Sequence, residues 1–205
     1  MESTVYVVDD DADMRESLME LIKSAGLRAR AFASAREFLE DCDCGRPACA
    51  LLDVRMPDMD CLDLQEKLSK RGCDIPVIII TAYGDVPGAV RAFQHGAFDF
   101  IEKPISGAKL LERIREAIDR DVQSLSRRAE FDAITEKVSA LTPKEQQVLK
   151  LLVEGRSLMQ TAETLDRSVK TVEAHATRIK KKLGVKNRVE LVRMALRAGI
   201  LKDSL

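Results

Sequence analysis

The sequence has no apolar run near the ~18–20 residues needed to cross a bilayer. Its longest strongly apolar run, Val77-Ile78-Ile79-Ile80, has the length of a core strand. The start, Met1-Glu2-Ser3-Thr4, has no cationic n-region, so no signal peptide is expected and the expected location is the cytoplasm. A complete zinc spacing is also missing. The five cysteines, Cys42, Cys44, Cys49, Cys61 and Cys73, are odd in number and all precede residue 74. Cys42 and Cys44 make a C-x-C pair, but no second pair or histidine completes a familiar ligand spacing. In a reducing cytosol all five are expected to be free thiols. Net charge is nearly absent too, at −1 from 33 basic and 34 acidic residues. Taken alone, that argues against a nucleic-acid partner.

What is present is ordinary globular composition, 45% hydrophobic and 33% charged, over 205 residues. It excludes a disordered chain, collagen and a small disulfide scaffold, and the length fits one large domain or two small ones. The small net charge is a cancellation. Residues 1–140 carry 19 basic and 27 acidic residues, net −8, and residues 141–205 carry 14 and 7, net +7. Charge asymmetry of this kind is a hint of nucleic-acid binding by the basic part, and the opposite signs suggest an inhibitory docking of one part on the other.

Over the first 105 residues, short apolar runs alternate with amphipathic stretches. The runs lie at 5–8, 49–52, 77–80 and 98–101, with a weaker candidate at 27–32. Runs without polar alternation suggest strands buried on both faces, as in a parallel sheet. Helical patterns lie between them. One carries Met14, Leu18, Leu21, Ile22 and Ala25 and ends at Gly26. One opens at Ser34 with Glu37 at capping-box spacing. Others cover 62–71 and 86–95. The alternation predicts a doubly wound α/β fold. From residue 106 to about 137, Leu110, Leu111, Ile114, Ile118, Val122 and Leu125 recur at helical steps. One long helix is expected, closing the first domain and continuing as a linker that can pair with its copy in a dimer. Beyond Leu141 the pattern is all helical. Thr142-Pro143 with Glu145 reads as a helix start. Short helices over 158–165 and 169–183, joined by Asp166-Arg167-Ser168, fit a helix-turn-helix, and a last helix is expected over 188–198.

Polar groups stand at the ends of the apolar runs. Asp9 and Asp10 follow the first, Asp53 follows 49–52, Thr81 follows 77–80, and Lys103-Pro104 follows 98–101. These are the C-terminal ends of parallel strands, the edge at which open α/β sheets bind ligands. Three carboxylates in one cleft repel unless a cation lies among them, and Mg²⁺ suits oxygen ligands of this kind. Lys103 offers a charge to an anion and Thr81 a hydrogen bond. An aspartate beside Mg²⁺ can act as nucleophile toward phosphorus. Asp11 and Asp13 are read as caps of the first helix.

The runs Val7-Val8-Asp9-Asp10 and Asp53-Val54-Arg55-Met56-Pro57, with Thr81 and Lys103-Pro104, resemble the receiver domain of two-component response regulators, over residues 4 to about 120. The resemblance implies a five-stranded, flavodoxin-like sheet. It implies that Asp53 accepts a phosphoryl group from a sensor histidine kinase. It implies Mg²⁺ held by Asp9, Asp10, Asp53 and the main-chain carbonyl of Arg55, the hydroxyl and lysine roles for Thr81 and Lys103, and a switching aromatic at Phe100. One departure is Cys61, where the family usually has a glycine that often supports a special backbone angle. Tyr83, two residues after Thr81, is placed to shield the phosphoryl group from water. A haloacid dehalogenase phosphatase, an enzyme acting on a diffusible phosphate ester, is the alternative. Such enzymes carry a second aspartate two residues after the nucleophile, and that position here is Arg55.

Between residues 178 and 197 stand Arg178, Lys180, Lys181, Lys182, Lys186, Arg188, Arg193 and Arg197 against Glu190 alone, a phosphate-contacting footprint. The pattern from Leu141-Thr142-Pro143-Lys144-Glu145 through Lys170-Thr171-Val172-Glu173-Ala174-His175 resembles the LuxR/NarL-type DNA-binding domain, and the whole chain a FixJ-type response regulator. The resemblance implies domains over 1–120 and 141–205 with a helical linker over 121–140. It places the second helix of the motif in the major groove. Glu173, Ala174 and Thr177 map to base-facing positions. Lys170, Thr171, Arg178, Lys181 and Lys182 complete the DNA-binding set, the basic ones as phosphate contacts. Val172, Ile179 and Leu183 are read as core and His175 as a packing or backbone-bonding residue. Leu158-Met159 replaces a polar pair usual in relatives, which suggests either weaker phosphate binding through lost polar contacts or an intramolecular interface, the latter preferred. The expected protein is not an enzyme beyond its own phosphorylation and dephosphorylation. It dimerises on phosphorylation and binds promoter DNA, with RNA polymerase a further candidate partner and no membrane.

Overall fold

A computed structural model of the chain describes residues 2–54, 56–57, 59, 61–82, 93 and 96–197. The apolar runs become strands β1 (Thr4–Val8), β2 (Arg28–Phe32), β3 (Ala48–Asp53), β4 (Val77–Thr81) and β5 (Asp99–Glu102). They form one five-stranded parallel sheet in the order β2-β1-β3-β4-β5. Helices α1 (Ala12–Ser24), α2 (Ala35–Asp41), α3 (Cys61–Lys70) and α4 (Gly107–Ser139) accompany it. This is the doubly wound, flavodoxin-like sheet expected. The helix expected over 86–95 lies almost entirely outside the described residues.

The runs are apolar throughout because the sheet is covered on both faces. Val5, Val7, Leu51, Ile78 and Ile80 pack against Leu18 and Ile22 of α1 and Leu110 and Ile114 of α4. Tyr6, Val8, Leu52 and Ile79 pack the opposite way, against Phe38 of α2 and Leu64 and Leu68 of α3. Burying one such side chain stabilises by about 1.5–3 kcal/mol, so each face carries a core of its own. β2 was the weakest strand in the sequence because it is an edge strand. Arg28 is exposed and Arg30 only half-buried there. Asp53 and Thr81 are the last residues of β3 and β4, where the sequence placed them just beyond. Cys61 is helical and buried at the start of α3, so the absent glycine leaves no strained backbone there.

The cysteine expectation is corrected. Cys44 and Cys73 form a disulfide, with Cα atoms 5.8 Å apart, and only Cys42, Cys49 and Cys61 carry no bridge. Cys44 lies between α2 and β3, and Cys73 between α3 and β4. Their separation of 29 residues carries no signal, because only the side-by-side placement of β3 and β4 brings the two loops together.

The chain divides into two compact units, residues 1–125 and 126–205. α4 is a 33-residue helix, as the long periodic stretch predicts. In the second unit α5 (Pro143–Val153), α6 (Leu158–Thr164), α7 (Val169–Leu183) and α8 (Arg188–Arg197) enclose Leu149, Leu152, Ala162, Val172, Ile179, Leu183 and Leu191. Thr142 and Glu145 close a capping box on α5, and Ser157 and Gln160 close another on α6. α7 ends on Gly184 at φ 72°, the left-handed stop that suits glycine. No helix among the described residues is long and apolar enough to cross a membrane.

Candidate functional site

In this sheet the chain runs from β1 outward to β2 and returns on the other side of β1 to β3. The crevice at such a reversal point is where open α/β sheets bind ligands. Asp9 follows β1 and Asp53 ends β3, and the two strands run in register, Val8 beside Leu52. Thr81 ends the next strand, and the Lys103 N–H donates to the Thr81 carbonyl at 2.7 Å.

Two carboxylates converge on one ammonium. Lys103 Nζ donates to Asp53 Oδ1 at 2.9 Å and to Asp9 Oδ2 at 3.2 Å. Asp9 is oriented from its other side, where Oδ1 accepts from the Asp11 N–H at 2.9 Å. Asp11 in turn caps α1, as read from the sequence. Thr81 is buried beside this cluster's strand ends, and Asp10 is exposed at its rim. Phe100 is half-buried on β5, opposite Ile79. Arg55 and Tyr83 lie outside the described residues.

Burial raises the Asp9 pKa, and the nearby Asp53 charge adds to this, against the Asp11 N–H and the Lys103 ammonium. Burial also works against the Lys103 charge. The Asp53 and Asp9 carboxylates outweigh it and hold the lysine above its ordinary value. The pocket thus holds two hard-oxygen anions that need a cation, and the Lys103 ammonium stands between them. Among the described residues no group of three His, Cys, Asp or Glu side chains is arranged around a metal position. The donor chemistry nonetheless fits Mg²⁺, since the available groups are carboxylate oxygens. Arg15 is a neighbour the sequence did not single out. Its Nη1 donates to the Asp9 carbonyl at 2.7 Å from one turn into α1.

The second site is the surface of α7. Lys170, Thr171, Glu173, Ala174, Thr177, Arg178, Lys181 and Lys182 are all exposed, while Val172, Ile179 and Leu183 are buried. Helical periodicity separates the two sets cleanly. Ser168 caps the helix, its Oγ accepting from the Thr171 N–H at 3.1 Å. Asp166 takes a left-handed φ of 50° in the turn that precedes it. His175 is half-buried, and its Nδ1 is enclosed without a hydrogen-bond partner.

The basic footprint divides by partner. Lys182 Nζ donates to Glu145 Oε2 at 2.7 Å. Arg188 donates to the Leu152 and Arg156 carbonyls at 3.0 and 2.8 Å, satisfying acceptors at the end of α5. Arg197 pairs with Glu130. These three have structural partners in the fold, whereas Lys170, Arg178 and Lys181 point to solvent.

Two families match the chain. The response regulator receiver domain matches residues 5–115, and the luxR family of bacterial regulatory proteins matches residues 139–195. The chain is 42% identical to the response regulator protein TmoT of Ectopseudomonas mendocina, over 100% of this chain and 91% of that one. It is 37% identical to the transcriptional regulatory protein FixJ of Bradyrhizobium diazoefficiens, with 97% of each chain covered. Among solved structures, the response regulator StyR aligns with a TM-score of 0.82 at 37% identity, over 96% of this chain and all of the other. Full-length FixJ from B. japonicum aligns with a TM-score of 0.59 at 37% identity, covering 97% and 98%.

Proposed function

Because the chain belongs to the two-component response regulators that join a receiver domain to a LuxR-family DNA-binding domain, we propose that Asp53 is its phosphoacceptor and that phosphorylation there promotes dimerisation and sequence-specific binding to promoter DNA. It is a regulator of transcription rather than a typical enzyme. The observation that carries the phosphoacceptor reading is the convergence of Asp9 and Asp53 on Lys103 Nζ.

In this reading a sensor histidine kinase presents a phosphohistidine. An Asp53 carboxylate oxygen attacks phosphorus, a P–O bond forms, and the P–N bond breaks with its electron pair leaving on the imidazole. Lys103, already beside Asp53, shifts its ammonium to the arriving phosphoryl oxygens. Thr81, at the end of the adjacent strand, donates its hydroxyl to one of them. Asp9 is held in place by the Asp11 N–H and the Lys103 ammonium. Asp9, Asp10, Asp53 and the Arg55 carbonyl are the groups that would hold Mg²⁺, which would supply charge neutralisation for the group in transfer. Phe100 then turns inward and changes the surface around β5, which becomes the dimer face. Two DNA-binding domains on adjacent half-sites gain affinity through effective concentration. RNA polymerase is the downstream partner of the bound dimer.

The test is a gel shift of the full chain with promoter DNA, with and without acetyl phosphate and Mg²⁺. Tightening that Asp53→Asn abolishes is the expected result. Equal tightening in Asp53→Asn, or multiple turnover of a generic phosphate monoester, overturns the reading.

A further inference from the structure

Three of the five cysteines gather at the end of the sheet opposite Asp53. Cys44 and Cys73 are bridged, and Cys42 Sγ lies 3.7 Å from Cys44 Sγ. The Cys44 N–H points at that same sulfur at 3.3 Å. Cys44 itself has φ 46°, a left-handed turn that non-glycine residues rarely adopt, and one that folds the C-x-C segment back on itself. A bridge serving only as a staple has no use for a third sulfur in contact with it.

We propose that Cys42, Cys44 and Cys73 form a thiol–disulfide exchange site, in which Cys42 attacks the Cys44–Cys73 bridge and small dithiols open it. In the exchange, the Cys42 thiolate gives its electron pair to Cys44 Sγ. A Cys42–Cys44 bond forms, the Cys44–Cys73 bond breaks, and Cys73 leaves as a thiolate that takes up the proton Cys42 lost. No electron enters or leaves. Opening by a dithiol consumes two electrons. The dithiol becomes a cyclic disulfide, and Cys44 and Cys73 each end as a thiol.

The surroundings set the rate. Burial raises the Cys42 pKa, and the Asp43 charge adds to this. The Cys44 N–H, the Tyr6 hydroxyl and the Arg30 charge act in the opposite direction. The thiolate is the attacking form, so exchange accelerates as pH rises through the alkaline range. Cys73 lines a cavity of about 330 Å³ together with Gln65, Ser69, Arg120 and Ser124. That volume is at the small end for a ligand pocket and suits a short dithiol. Cys49 is fully enclosed and Cys61 is buried, so neither competes. The bridge ties together the starts of β3 and β4, the strands whose far ends carry Asp53 and Thr81. This proposal does not depend on Asp53 being phosphorylated.

The test is peptide mapping of the air-oxidised full chain after acid quench and alkylation with N-ethylmaleimide. At pH 7 the expected product has Cys44 linked to Cys73 and Cys42 alkylated. At pH 9 a second species is expected to grow in, with Cys42 linked to Cys44 and Cys73 alkylated, and Cys42→Ser should abolish it. Dithiothreitol is expected to free both bridge cysteines in the native chain and lower the melting temperature by roughly 5–10 °C. If Cys44 and Cys73 are both alkylated without reductant, or if the second species is absent at pH 9, the proposal is wrong. If the bridge survives dithiothreitol until the chain unfolds, it is a structural staple and the proposal also fails.

Discussion

Lys182 Nζ stands 2.7 Å from Glu145 Oε2, fastening the last turn of α7 to the first turn of α5. That carboxylate oxygen also accepts from the Thr142 N–H at 2.9 Å and from its hydroxyl at 3.1 Å. One buried carboxylate thus closes a helix cap and holds a lysine from the helix expected to meet DNA. The Lys182 hydrogen bond and the Thr142 N–H hold the Glu145 pKa down to about 2, below its ordinary 4.5. A carboxyl depressed on folding adds stability that is present above its unfolded pKa and is lost as pH falls through its folded one. Melting of the full chain is therefore expected to separate wild type from Glu145→Gln fully at pH 6. The gap should close between about pH 4.5 and about 2. A gap that stays constant down to pH 2 would show that the charge contributes nothing.

The same pair sorts the basic residues of α7. Arg178 and Lys181 are exposed, whereas Lys182 is held by Glu145. Each phosphate contact adds roughly 1 to the slope of log affinity against log salt. Arg178→Ala and Lys181→Ala are each expected to lower that slope by about 1. Lys182→Ala should lower it less and the melting temperature more. Equal slope changes for all three would mean that Lys182 leaves Glu145 when DNA binds.

Away from the acidic pocket, the first unit holds another buried ion pair. Arg46 Nε donates to Asp121 Oδ1 and Oδ2 at 3.1 and 3.2 Å, and its Nη2 bonds Oδ1 as well. Asp121 is fully enclosed and also accepts from the Ala48 N–H, the first residue of β3, at 3.0 Å. Removing one partner leaves an uncompensated buried charge, which typically costs about 3–5 kcal/mol. Asp121→Ala is expected to destabilise the chain by that amount in urea unfolding. The double change Arg46→Met with Asp121→Leu should cost far less, because no charge is left stranded. If the double variant is as unstable as the sum of the two single changes, the pair has no special coupling.

These contacts mark the limit of what the sequence carried. Strands were legible because a strand covered on both faces must be apolar along its length, as Val77 to Ile80 is before the polar Thr81 that ends the strand. The meeting of Asp9, Asp53 and Lys103 was legible because parallel strands deliver their C-terminal ends to one edge, whatever the spacing between them. The Cys44–Cys73 bridge, the Arg46–Asp121 pair and the Glu145–Lys182 pair have no such rule. They join loops and helix ends whose nearness follows from strand order and helix packing, which local patterns do not encode. Asp121 left one trace. It stands three residues after Ile118 on the apolar stripe of α4, where an acidic side chain needs a buried partner.

The start of α7 rests on one hydroxyl. Ser168 Oγ accepts from the Thr171 N–H at 3.1 Å and lies 2.8 Å from the Thr171 hydroxyl, which it orients. Replacing an N-cap serine by alanine costs about 1 kcal/mol, while asparagine and aspartate cap equally well. Ser168→Ala is expected to fray the turn that carries Lys170 and Thr171, seen as faster amide exchange there, and to weaken DNA binding severalfold. Ser168→Asn should restore both. Ser168→Asp should restore the slow exchange but not the affinity, because its charge would face the phosphates of any DNA lying along α7. If Ser168→Asp binds DNA as tightly as Ser168→Asn, the first turn of α7 does not approach the DNA backbone.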